Sequence, residues 1–224
     1  MSFRRVNSPS RFPGGDDLTS RLVAVGFNFW GDPAREEPNI EETIVACSIE
    51  GVHRDYRALS LLTDWFDIHS ERVNADHLIK LVSGLDDELA KKYWIACAQW
   101  KKSDPRFKKL RNMDDGHRIN LIANSEYLLK RDGEDHRFAN TSLIIAAKNL
   151  RHRPRDISSP EMLSKSHRGY YYRVLIGPTY RADIMALLDK RPTLSAAELA
   201  RRSYSSFSTA WQAKRDFELL KRKS

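Results

Sequence analysis

Apolar residues first recur at helical spacing just after Asn39, where Ile40, Ile44, Val45 and Ile49 fall on one stripe. Gly51 is expected to break that helix. Tyr56, Leu59, Leu62 and Phe66 form a second stripe, with Leu61 and Trp65 beside it. Asn74 suits the N-cap of a third helix carrying Leu78, Ile79, Leu81 and Val82, which Gly84 stops. A fourth spans about 86–101, with Leu89, Tyr93, Trp94, Ala96, Cys97 and Trp100 inward. Stretches 117–129 and 137–150 also read as helical. Trp65, Trp94 and Trp100 at this spacing are core residues rather than the lining of a cofactor pocket.

The pattern changes on either side of this region. Residues 1–36 are rich in Arg, Ser, Pro, Gly and Asp, and read as a flexible N-terminal segment whose one apolar run, LVAVGFNFW (22–30), docks on the body. Residues 37–150 make a helical domain suited to dimerisation or to a protein partner. RHRPRDISSPE (151–161) is a linker with little to bury, and it opens a second domain, 151–224. There YYYRVLI (170–176) reads as a short strand ended by Gly177-Pro178. Three helices follow at 180–190, 196–202 and about 206–222. Ser195-Ala-Ala-Glu198 has the form of a capping box, in which the serine oxygen accepts from the Glu198 amide and the glutamate reaches back. On the last helix Ser206, Ala210, Ala213, Phe217 and Leu220 share a core face. The opposite face holds Ser208, Gln212 and Arg215 beside Trp211, flanked by Thr209 and Lys214.

Charge sharpens the division. Residues 1–145 carry 21 Lys and Arg against 23 Asp and Glu, and residues 146–224 carry 17 against 7. The net +8 of the chain therefore comes entirely from its last third, as expected of a nucleic-acid-binding domain joined to a neutral one. No apolar run reaches membrane-spanning length, and the N-terminus has no secretory pattern. Cys47 and Cys97 stand alone and read as buried free thiols in a cytoplasmic protein.

Catalytic chemistry has no comparable signal. His53-Arg-Asp55 lacks the Gly-rich loop and DFG of a kinase, and Asp114-Asp-Gly-His117 fits turn chemistry. The seven histidines show no metal spacing, and no Gly-Ser turn precedes an Asp-x-Asp pair. The expectation is therefore a binding protein, without enzyme activity, cofactor or metal.

Ala197-Glu-Leu-Ala-Arg201, a short turn and a polar start to the last helix resemble the helix-turn-helix of the bacterial winged-helix regulator superfamily, over about residues 180–220. A weaker resemblance is to helix-turn-helix proteins encoded beside toxin or phage-defence systems. Ser203-Tyr204 stands where glycine is usual, and the sequence ends straight after the last helix. The expected fold is mainly α, a helical domain followed by a winged-helix-like domain with little or no wing. The expected partner is double-stranded DNA, contacted by Arg201, Arg202, Ser205, Ser208, Thr209, Gln212, Lys214 and Arg215. The linker arginines Arg151, Arg153 and Arg155 are further candidates, suited to a minor groove. The function this implies is a transcriptional regulator or a defence-system component. The alternative is a protein-interaction module such as an antitoxin or defence-complex subunit, with the helical domain serving a homodimer or a partner.

Overall fold

The structure, a computed structural model, describes residues 9–221. It is mainly helical. The first helix, α1 (Gly15–Ala24), lies within the stretch expected to be flexible. Leu18 and Leu22 of α1 and the following Val25 and Phe27 are buried in the main core. The Val25 carbonyl accepts from the Trp65 indole N–H at 2.8 Å. The apolar run thus docks as its composition suggested, up to a fully exposed Trp30.

The helices α2 (Ile40–His53), α3 (Tyr56–His69), α4 (Ala75–Ser83) and α5 (Glu88–Trp100) form the body. Each opens on a side chain that takes up an otherwise orphaned amide. Asn39 accepts from Glu42, Asp55 from Arg57 and Ala58, Asn74 from His77, and Asp87 from Ala90. Gly51 does not break α2. A Cβ there would stand 3.0 Å from the Leu59 Cβ, so the glycine lets α2 and α3 pack closely while the helix runs on to His53.

The next stretch corrects two expectations. Residues 117–129 and 137–150 are mostly not helical. A short α6 (Lys108–Arg111) leads to β1 (Ile119–Asn120), α7 (Glu126–Asp132) and β2 (Leu143–Ile144), with β1 and β2 paired in parallel. Gly116, Asn124, Gly133 and Asn140 all take positive φ, which a continuous helix cannot accommodate. Arg137 is buried here and donates to Asp135, Asp64 and the Leu150 carbonyl.

The 151–161 segment lies against the body. Ile157 is buried, and Ser158 N donates to the Gly26 carbonyl at 2.8 Å. Then come α8 (Pro160–Ser166) and α9 (Arg168–Ile176). The stretch expected as a strand at 170–176 is therefore helix. His167 caps it by accepting from Tyr170 N, and Gly177 at φ 89° ends it. Tyr170 and Arg173, three apart, point into the body, while Tyr171, Val174 and Leu175 face out. A short apolar run cannot distinguish strand from helix by period. The chain closes with α10 (Tyr180–Lys190), α11 (Ala196–Arg202) and α12 (Phe207–Lys221). Ile184, Met185, Leu188, Leu199, Ala200, Ala210, Ala213 and Phe217 give these three helices a small core of their own.

That cluster is joined to the body by a buried ionic junction. The Arg173 guanidinium, 1% exposed, donates to both Glu41 oxygens at 2.6 and 2.7 Å and to Asp183 Oδ1 at 2.9 Å. Burial works to raise the Glu41 carboxyl, but Arg173 and His77 hold it down at about 2. Arg191–Glu36 and Lys190–Glu37 pairs extend the junction toward the surface.

Candidate nucleic-acid interface

The interface residues sit on α11, α12 and the turn between them. Ser195 Oγ accepts from Glu198 N at 3.1 Å, as a capping box requires. The reciprocal half is absent, because Glu198 turns to the arginines one turn later. It pairs with Arg201 and with Arg202, the latter at 2.6 Å. These two guanidinium hydrogen bonds hold the half-buried Glu198 carboxyl down at about 2.

The turn is Ser203-Tyr204-Ser205-Ser206, and Tyr204 adopts φ 56°. Glycine enters this left-handed region without strain, whereas a tyrosine there needs support. Support comes from the body. The Tyr204 hydroxyl donates to Glu42 Oε2 at 3.0 Å, and its ring lies 4.7 Å from that of His77, centroid to centroid. The sequence placed Ser203-Tyr204 in the turn but did not mark Glu42 and His77 as its supports, since both lie far away along the chain.

The candidate residues separate by exposure. Ser208, Gln212 and Arg215 are exposed on the outer face of α12, and the Arg215 guanidinium lies 5.7 Å from the Trp211 ring centroid. Ser205 does not belong with them. It is buried, and its hydroxyl is engaged with Ser203 and the Ser206 carbonyl. Ser206 caps α12, accepting from Thr209 N at 3.1 Å and sharing a hydrogen bond with the Thr209 hydroxyl at 2.7 Å. Thr209 is therefore part of the cap. Lys214 donates to the Leu194 carbonyl at 2.9 Å and so ties α12 to the loop before α11. Leu220, assigned to the core face, is 70% exposed, because the small core ends at Phe217.

The linker arginines are held elsewhere. Arg151 N donates to Ser60, Arg153 N donates to Asp64, and the Arg155 carbonyl accepts from Asn28. These contacts fix the segment to α3 and to the 26–29 loop. The guanidiniums of Arg151 and Arg155 belong to exposed residues.

Other motifs have structural uses. Asp55 caps α3, and His53 pairs with Asp87 at 2.8 Å. Asp114 and Asp115 both grip Lys92. Cys47 and Cys97 are fully buried, and burial pushes both thiols up, Cys97 to about 12. Among the described residues no helix is long and apolar enough to cross a membrane. No model of a protein family, no curated protein and no solved structure matches this chain.

Proposed function

We propose that the chain is a DNA-binding protein, a transcriptional regulator or defence-system component, that lays α12 in the major groove of duplex DNA. The observation that carries this reading is the α11–turn–α12 unit. Its turn residue is left-handed, and the outer face of the second helix is open, with hydroxyl, amide and guanidinium groups in succession. Gln pairs bidentately with adenine and Arg with guanine, each such pair discriminating by about 1–3 kcal/mol. Arg201 and Arg202, at the end of α11, would grip the phosphate backbone.

Site-directed variants separate reading from gripping. After selection of a preferred duplex, Gln212→Ala and Arg215→Ala are expected to weaken it more than random DNA. Arg201→Ala and Arg202→Ala are expected to weaken both alike and to flatten the salt slope by about 0.9 for each phosphate no longer neutralised. All four residues are exposed, so wild-type melting is expected throughout. Unaltered site preference in Gln212→Ala and Arg215→Ala would remove α12 as the reader.

A second reading, a protein-interaction module, draws on the apolar residues of the same surface. Trp211 is 49%, Leu219 51% and Leu220 70% exposed. Under that reading Trp211→Ala and Leu219→Ala disrupt self-association in light scattering, while DNA has no effect on the protein.

A further inference from the structure

A cavity of about 670 Å³ opens on the body between α3, the end of α5 and the 135–152 segment. Its wall includes His152, His136, Arg151, Lys148 and Trp100. Sequence reading treated His152 as part of a linker. In the structure it is half of a dyad. Its Nδ1 stands 2.8 Å from Oδ1 of Asp64, whose side chain is 1% exposed. Asp64 is itself fixed, since it also accepts from Arg137 Nη1 at 3.2 Å and from the Arg153 amide. A carboxylate accepts, so Nδ1 carries the hydrogen and Nε2, across the ring, remains for a ligand. The His152 side chain is 66% exposed, so the oriented ring is accessible.

Three cations, Arg137, Lys148 and Arg151, line the cavity with two carboxylates, Asp67 and Asp135. The two carboxylates on the cavity wall are already engaged, Asp135 with Arg137 and Asp67 with Lys101. Of the remaining wall groups, His136 Nδ1 lies 3.9 Å from Asp135 Oδ1, His152 pairs with the buried Asp64, and Arg151 is exposed beside them. Lys148 reaches Asp132 at 2.8 Å but is 74% exposed. Half-buried Trp100 adds an aromatic surface. A guanidinium, two imidazoles and an ammonium suit an anion with several oxygens, and an indole suits a planar base.

We propose that this cavity binds the phosphomonoester of a nucleotide, either a free nucleoside monophosphate or the 5′-phosphate end of a strand. Arg151 supplies the charged contact, and His152, held through Nδ1 by Asp64, presents Nε2 to the phosphate. The site is independent of α12 and does not rest on the DNA-reading proposal.

Calorimetric titration of the full chain at pH 6.5 tests this with AMP, adenosine, inorganic phosphate, and a short single-stranded oligonucleotide with and without a 5′-phosphate. AMP is expected to bind at least about tenfold more tightly than adenosine, since only the phosphomonoester can accept the charge-assisted hydrogen bond from Arg151. His152→Gln and Arg151→Ala are each expected to weaken AMP by about tenfold or more while keeping wild-type melting, as both residues are exposed. Preference for AMP over the phosphorylated strand marks the free nucleotide as the ligand. Binding of the phosphorylated strand alone marks the strand end. The proposal is overturned if adenosine matches AMP, if neither phosphomonoester binds at millimolar concentration, or if both variants bind as the wild type does.

Discussion

Tyr204 and His69 show how far a single side chain here depends on residues distant in sequence. Tyr204 holds a left-handed turn with its hydroxyl on Glu42, far back in the chain, and its ring against His77. His69 is fixed by Tyr170, whose hydroxyl donates to Nδ1 at 2.8 Å, and by the Ser158 carbonyl, which accepts from Nε2 at 3.0 Å. Both ring nitrogens are thus committed in the neutral form. Burial lowers its pKa to about 4 from 6.5. The unfolded chain therefore takes up this proton at a higher pH than the folded one. The stabilising contribution of His69 is complete above about pH 6.5, is lost as pH falls toward 4, and does not change further below that. The difference amounts to about 3 kcal/mol at most. Denaturation of the wild type and of His69→Gln at pH 7.5 and pH 4.5 checks it: the wild type is expected to lose more stability over this interval than the variant. Equal losses would show that His69 titrates alike in both states. Neither pairing was legible in sequence. Asn74 and Ser195 were, because a cap acts on an amide three residues away.

At the level of elements, legibility followed amphipathicity. The stripes of α4 and of α10 to α12 bury one face, and α2, α3 and α5 are buried on nearly every side, so in each the apolar residues still recur at helical spacing. It failed at 117–150, where the structure is held by buried polar groups such as Arg137 and Thr141 rather than by an apolar stripe. It failed at α9 because the residue that orients this helix, Arg173, is a buried charge that pattern reading places outside. The phase of α12 was legible through Ala210, Ala213 and Phe217, while Ser206 caps the helix and Leu220 is exposed. Phe217 is 9% exposed and packs in the small core with Ile184 and Leu188. Phe217→Ala is expected to destabilise the α10–α12 cluster by about 3–5 kcal/mol, the cost of a large buried truncation. Thermal denaturation checks it, and an unchanged melting temperature would show that this ring carries none of the packing.

The whole molecule puts its charge asymmetry to a use that composition did not disclose. Part of the basic excess of the last third faces acidic residues of the first part: Arg173 meets Glu41, Lys190 meets Glu37 and Arg191 meets Glu36. The exposed members of this set contribute little to stability, whereas the buried pair is costly to break. Glu41→Gln removes the charge that Arg173 needs and is expected to cost about 3–5 kcal/mol. Hydrogen exchange checks where the loss falls, with α9 and α10 expected to lose protection first. Protection unchanged in those helices would show that the junction does not hold the cluster to the body. The same pairing explains why a fragment beginning at 151 would be a poor test of function, since it strands Arg173 and Tyr170 without their buried partners.

The full chain is therefore the material for the decisive measurement, a fluorescence-anisotropy titration with duplex DNA at 50 and 200 mM salt. If about four phosphates are neutralised from α11 and α12, affinity falls by about a hundredfold between the two conditions, a log–log slope near −0.9 for each phosphate. The account predicts saturable binding at the lower salt and that fall at the higher. No binding at 50 mM salt, or an affinity indifferent to salt, would contradict it.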